Sequence, residues 1–216
     1  MGTAYLVRSG KLDKLVELGK DKIDGLLGKR KNIPIEGIHD GSIKKLPRPE
    51  NLSDTLKNTN PLRGKPGGDK NCTACSFAAF LRRKGYDVTA KLVGEGNKNL
   101  TVIAEKCVKN YNKHLLEGSA AKFGRSRQDA AEMLIKRYGN NAEGVCSIIW
   151  KNSNGGHTFN WVIKNGVVSF FDAQNGLDDS IISKTFWGRI DPQGTLNILR
   201  LDNAEIDFEA LKQFVD

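Results

Sequence analysis

The spacing of apolar residues divides the chain into helical, aperiodic and alternating stretches. Over residues 4–28, Leu12, Leu15, Val16, Leu18, Ile23, Leu26 and Leu27 recur at approximately helical spacing, and Lys29-Arg30-Lys31 ends the run with charge that a helix C-terminus favours. From Asn32 to Asn71 the period is lost. Five of the six prolines fall there among Gly and Asn, a composition that denies regular structure to most of the stretch. Helical spacing returns after Asn71, a good N-cap residue: Phe77, Phe80 and Leu81 share one face of a helix over 72–84, and Gly85 supplies its C-cap. Residues 86–93 alternate enough for a strand. A second helix is expected over 100–116, with Val102, Ile103, Cys107, Val108, Tyr111 and Leu115 as its stripe. Ser126-Arg127-Gln128-Asp129 resembles a capping box that opens a third, ending at Gly139. Beyond it the period falls to two, predicting strands at 144–151, 157–164, 167–172 and 195–201, with turns at 152–156 and Asn165-Gly166 and a short helix over 206–214.

Helices first and a strand meander afterwards predict an α+β fold, a helix packed on an antiparallel sheet. At 216 residues the chain can bury one ordinary core. The expected division is an N-terminal helix and Pro/Gly-rich extension over 1–60, then a compact domain over 61–216. No run approaches the roughly 18 apolar residues of a spanning helix, which argues against membrane insertion. The N-terminus lacks a signal peptide's h-region, so the chain reads as a mature segment, in keeping with one cut from a longer protein.

The formal charge of +9 is unevenly spread: residues 1–70 carry 15 basic against 9 acidic side chains, 71–171 carry 15 against 7, and 172–216 carry 4 against 9. Such a field suits an acidic partner over the first two-thirds, or is only a solvated basic surface. The basic residues are not interleaved with aromatics in a recognisable repeat, which counts against a nucleic-acid reader. The four cysteines, at 72, 75, 107 and 146, are too few for a disulfide framework in a chain this long. They also lack the second close pair of a zinc site, so no metal is expected. Cys107 and Cys146 sit among Val and Ile and read as buried thiols.

Cys72 and Cys75 are different. A thiol attacks a carbonyl well only as thiolate, so it needs a base within hydrogen-bond reach, and the base needs a third group to fix its tautomer. Cys72, His157 and Asp172 can fill these roles. Cys72 falls at about the first position of its helix, where free N–H groups and the positive end of the dipole favour thiolate, and where the same donors could receive an oxyanion. Cys75, one turn on, shares that face, so either sulfur could attack and the pair could form a reversible disulfide. Beside this stand two other readings, that both are small core residues and that they form a thioredoxin-type redox pair; against the latter, no strand of a βαβ unit precedes them. The hairpin supplies independent support. A two-residue Asn165-Gly166 turn pairs Lys164 with Val167, sets Gln174 opposite His157, and brings Asp172 onto the same face, diagonal to His157 at roughly 7–8 Å between backbones.

Taken together, Asn71-Cys72-x-x-Cys75-x-x-Ala78, Leu81-Arg82-Arg83-Lys84-Gly85-Tyr86-Asp87-Val88-x-Ala90, Gly155-Gly156-His157-x-Phe159 and Phe171-Asp172-x-Gln174 resemble the papain-fold toxin superfamily over about residues 60–202. The resemblance implies a papain-like fold, a Cys72-His157-Asp172 triad with Cys72 as nucleophile and Cys75 as an auxiliary, a thioester with an amide substrate, and no cofactor. Where papain-like proteases carry a glutamine upstream of the cysteine this chain has Pro66, so Asn71, Gln174 or backbone donors must complete the oxyanion hole. The implied substrate is a target-cell protein. A cognate immunity protein and delivery of a secreted bacterial effector into the target-cell cytoplasm, as in interbacterial competition, follow from the same resemblance. The amide could be a peptide bond, toward which this reading leans, or a glutamine side chain. A basic nucleic-acid-binding module is the alternative of another class, and a metal-dependent nuclease lacks an acidic cluster beside the histidine.

Overall fold

The computed structural model describes residues 43–94, 99–122 and 126–216. The helix expected over 4–28, its basic end and His39 lie outside the described residues. Within them the order is α1 (Leu52–Asn58), α2 (Cys72–Arg83), α3 (Leu100–Cys107), β1 (Leu115–Ser119), α4 (Arg127–Tyr138), β2 (Ala142–Ile149), β3 (Gly156–Lys164), β4 (Val167–Phe171), α5 (Asp179–Thr185), β5 (Thr195–Arg200) and α6 (Phe208–Leu211). The strands form one sheet in the order β1-β5-β2-β3-β4, with every ladder antiparallel. This is the expected α+β arrangement.

The sheet is covered on both faces. On one side Val145, Phe171 and Leu199 join Phe77, Phe80 and Leu81 of α2, Ile103 of α3 and Leu211 of α6. On the other, Ile148, Phe159, Trp161, Phe170 and Ile198 meet Ala130 and Leu134 of α4 and Ile182 of α5. Helix α2 is buried from Thr73 through Arg82, and its alanines at 74, 78 and 79 let it lie close in the first core. The capping box at Ser126 and Asp129 forms as the sequence suggested.

Several expectations change. Residues 43–59 belong to the body of the domain: Glu50 holds the buried Arg82 at 2.6 and 2.8 Å, and Lys45 bridges Tyr86. The compact body therefore starts before residue 60. Helix α1 forms inside the proline-rich stretch because Pro47, Pro49 and Pro61 flank it while Asn51 caps it by accepting the Asp54 N–H. Residues 86–93 make only isolated bridges, Tyr86 with Lys45 and Ala90 with Val215. The helix expected over 100–116 stops at Cys107, because Val108 turns extended to bridge Ile206 and Asn110 is left-handed at φ 53°. Leu115 onward then joins β5 as a strand.

The hairpin forms as read as far as it runs. Asn165 and Gly166 both have positive φ, 52° and 76°, the requirement of a type I′ turn, and the ladder pairs Lys164 with Val167 through Asn160 with Phe171. There β4 ends. Asp172 leaves the ladder to exchange backbone hydrogen bonds with Leu177, so Gln174 does not lie opposite His157. Among the described residues no helix is long and apolar enough to cross a membrane.

Candidate active site

Cys72 opens α2, and Asn71 stands at the N-cap position without capping through its side chain. Its amide is spent inward. Nδ2 donates to Asn60 Oδ1 and to the Lys91 carbonyl, both at 3.3 Å, and Oδ1 accepts from Gln174 Nε2 at 3.2 Å. The first backbone N–H groups of α2 lack intrahelical acceptors, since the ladder starts with Cys75 N–H on Asn71 O. Their partial positive charge gathers where the Cys72 sulfur sits.

Across from the helix start, β3 delivers His157. Gly156 beside it has no room for a side chain, because a Cβ would come within 2.5 Å of Ile148 O on the neighbouring strand. His157 is 8% exposed; its imidazole stacks on Trp150 at 5.9 Å between centroids and meets the edge of Phe186 at 5.5 Å. Nε2 lies 3.0 Å from Asp172 Oδ2. That leaves Nδ1 for the hydrogen bond with Cys72. Thr158, next in the strand, adds its N–H and hydroxyl to the sulfur's surroundings and is held by Thr73 at 3.0 Å.

Asp172 is fully buried yet well solvated by protein. Oδ1 accepts the N–H groups of Gln174 and Asn175 at 2.9 and 3.3 Å, and Oδ2 accepts the Asn175 side chain at 2.7 Å beside His157. These local bonds explain why the strand ends: the carboxylate folds its own chain into a turn. Arg63 braces that turn from the far side, donating to the carbonyls of Ala173 at 3.0 Å and Gln174 at 3.1 Å. Asn60 adds a 2.9 Å bond to the same Gln174 carbonyl.

The charges follow from this geometry. Burial pushes the Cys72 thiol up, but the hydrogen bond and positive charge of His157, with Thr158, outweigh it and leave the group below its ordinary value. Burial opposes a charged imidazole as well, yet Asp172 and Cys72 raise His157 to about 9. Asp172 falls below the usual carboxylate range, the bonds from His157 and Asn175 overcoming burial. The site therefore favours thiolate, imidazolium and carboxylate in a row, a coupled set suited to attack on a carbonyl and to protonation of a leaving nitrogen.

The structure thus brings Cys72, His157 and Asp172 together, with Asn71 and Gln174 bonded to each other beside the helix start. Cys75 is elsewhere in character: fully buried in the first core, its thiol is pushed far up by burial and by the charges of Cys72 and Asp172. All four cysteines are free. Cys107 and Cys146 lie in different cores, and among the described residues no group of His, Cys, Asp and Glu could hold a metal ion. Sequence reasoning missed Asn60, Arg63, Trp150, Thr158, Asn175 and Phe186. Asn175 alone carried a signal, as an Asn three residues after a candidate Asp in a turn.

Beside His157 a cleft of about 380 Å³ opens, walled by Trp150, Leu177, Ile181, Phe186 and Arg189. A separate apolar cavity of about 300 Å³ lies in the second core, lined by residues such as Met133, Leu134, Phe170 and Trp187, and touches none of the three reactive side chains.

Comparison with known proteins gives a sequence match over residues 70–177 to the family described as papain fold toxin 1, glutamine deamidase. Among solved structures, the Salmonella effector SpvD, in its G161 variant, is similar with a TM-score of 0.42 and 15% identity, over 88% of this chain and 99% of that one. No curated protein matches the sequence.

Proposed function

The chain belongs to the papain-fold toxin 1, glutamine deamidase family, and from that premise we propose that it hydrolyses the side-chain carboxamide of a glutamine in a target-cell protein. The observation that carries the chemistry is the Cys72 thiol at a helix start, hydrogen-bonded to a histidine whose other nitrogen lies 3.0 Å from a buried carboxylate. The family's description supports attack on the glutamine side chain over the peptide-bond cleavage toward which the sequence leans.

In the proposed sequence the Cys72 thiolate adds to the carboxamide carbon of the substrate glutamine. The oxyanion that forms meets the backbone N–H of Cys72; Asn71 cannot serve, since both N–H groups of its amide are engaged, whereas Gln174 donates one N–H to Asn71 and has a second to offer. The imidazolium of His157 gives its Nδ1 proton to the leaving nitrogen, the C–N bond breaks, and ammonia departs. Water then attacks the thioester, His157 takes its proton, and the thiolate leaves. Glutamine and water have become glutamate and ammonia. Asp172 keeps the imidazole in the tautomer that serves both steps.

A secreted effector acting in the target-cell cytoplasm, with an immunity protein in the producing cell, is the setting this reading supplies. The test exposes a target-cell lysate to the wild-type chain and to Cys72→Ala and compares the proteomes by mass spectrometry. Conversion of glutamine to glutamate, dependent on Cys72, is expected. New peptide termini without that conversion would establish a protease instead.

A further inference from the structure

Resting on the deamidation reading, we propose that the cleft beside His157 is a subsite for an acidic side chain of the target protein near the attacked glutamine, and that Arg189 selects it. The cleft shares His157 with the reactive group, so whatever fills it lies within a few residues of the scissile amide. Its walls are Trp150, Leu177, Ile181 and Phe186 with the polar side chains of Asn175 and Thr185, and besides His157 the charged group among them is Arg189. Arg189 lies with its guanidinium 4.8 Å above the Trp150 ring, and that ring in turn stacks on His157.

Among the described residues no carboxylate pairs with Arg189. The nearby acids are engaged elsewhere: Asp178 caps α5 through Ser180 and Ile181, Asp179 binds Arg127, and Asp191 accepts the Gln193 N–H. A guanidinium resting on an indole face is held in one orientation while its N–H edge stays available, the geometry that receives a carboxylate with two parallel hydrogen bonds. Lys151 donates to the carbonyl of Gly188, next to Arg189, and adds positive charge there. Ile181, 42% exposed on the cleft wall, offers apolar surface for the substrate segment to cover. A target segment that places Asp or Glu beside its glutamine fits this surface, and one that places Lys there is repelled.

The experiment uses the full chain and a synthetic peptide library with a central glutamine and flanking positions varied among Asp, Asn, Lys and Leu. Products are read by mass spectrometry against a Cys72→Ala blank. Asp should be preferred over its neutral isostere Asn by about tenfold, the scale of one charge-assisted hydrogen bond at a partly exposed site. Arg189→Glu should turn the preference toward Lys, Arg189→Gln should erase it, and Arg189→Lys should retain a weaker form because an ammonium lacks the fork. Added salt should shrink the wild-type preference. Turnover indifferent to flanking charge, or an Asp preference that survives Arg189→Glu, overturns the subsite and leaves deamidation standing. No turnover above the blank overturns deamidation, and the subsite with it.

Discussion

Asp172→Asn exchanges one acceptor for a donor at a position where four donors converge. The side-chain carbonyl of the new residue should stay at Oδ1, where the N–H groups of Gln174 and Asn175 hold it, and its NH₂ then falls at Oδ2 facing His157 Nε2 and the Asn175 amide. His157 can bind it only by accepting at Nε2. The ring proton moves to Nδ1, toward Cys72, in a tautomer that cannot take a thiol proton, and the negative charge that helps raise His157 to about 9 is gone. Turnover should fall on the order of 10²–10⁴-fold, as when an orienting carboxylate is amidated in other triads, equivalent to about 3–5 kcal/mol in the barrier. Two donors left facing each other in a buried turn should also cost roughly 1–3 kcal/mol of stability. The assay is kcat/KM on the best peptide of the library above, with thermal unfolding as the check that the variant is folded. A folded Asp172→Asn that works at the wild-type rate would refute the orienting role and make Asp172 only the keeper of its own turn.

Activity should follow a bell in pH, rising as the depressed thiol of Cys72 ionises and falling as His157 loses its proton through about 9; a rate still climbing above that pH contradicts the ion pair. For stability, a histidine raised in the folded state contributes fully below its ordinary pKa of 6.5 and loses that contribution through about 9. The Tm advantage of wild type over His157→Gln should shrink across that interval. Cys75→Ala should keep the activity that Cys72→Ser abolishes, while removing a fully buried sulfur at roughly 1 kcal/mol of stability, read from denaturant midpoints. Arg63→Ala should loosen the 172–177 turn, lowering turnover and costing about 2–4 kcal/mol through three lost hydrogen bonds, two to the turn and one to the Leu56 carbonyl; Arg63→Lys, which can still bind one carbonyl, should recover part of both.

What the sequence conveyed was local. The Asn165-Gly166 turn fixed a register because only one pairing satisfies two positive φ values and a two-residue loop, and the Ser126 capping box and the Asn71–Gly85 helix were legible for the same reason. The register failed one residue past Phe171, where the Asp172 carboxylate found closer donors in its own turn than the ladder offered. His157 and Asp172 still meet, but through side chains at a strand end rather than across a pair. Strand β1 was hidden because Leu115 also fits the stripe of the helix before it; what ends that helix is Val108 reaching Ile206, nearly a hundred residues away. Arg63 and Asn60 sit in a stretch whose composition spoke only of turns, and their contacts to Gln174 span more than a hundred residues.

The central claim, that Cys72 carries the acyl group of a glutamine side chain, is tested most directly by the intermediate itself. The chain is mixed with the glutamine peptide pool, quenched in acid within the first turnover, and weighed intact, then digested to locate the adduct. The expected result is a protein heavier by one whole peptide less ammonia, with the adduct on Cys72 and none on Cys75, Cys107 or Cys146. An adduct of only the N-terminal part of a peptide would mean that the backbone bond was attacked, and an adduct on Cys75 with Cys72 free would contradict the account at its root.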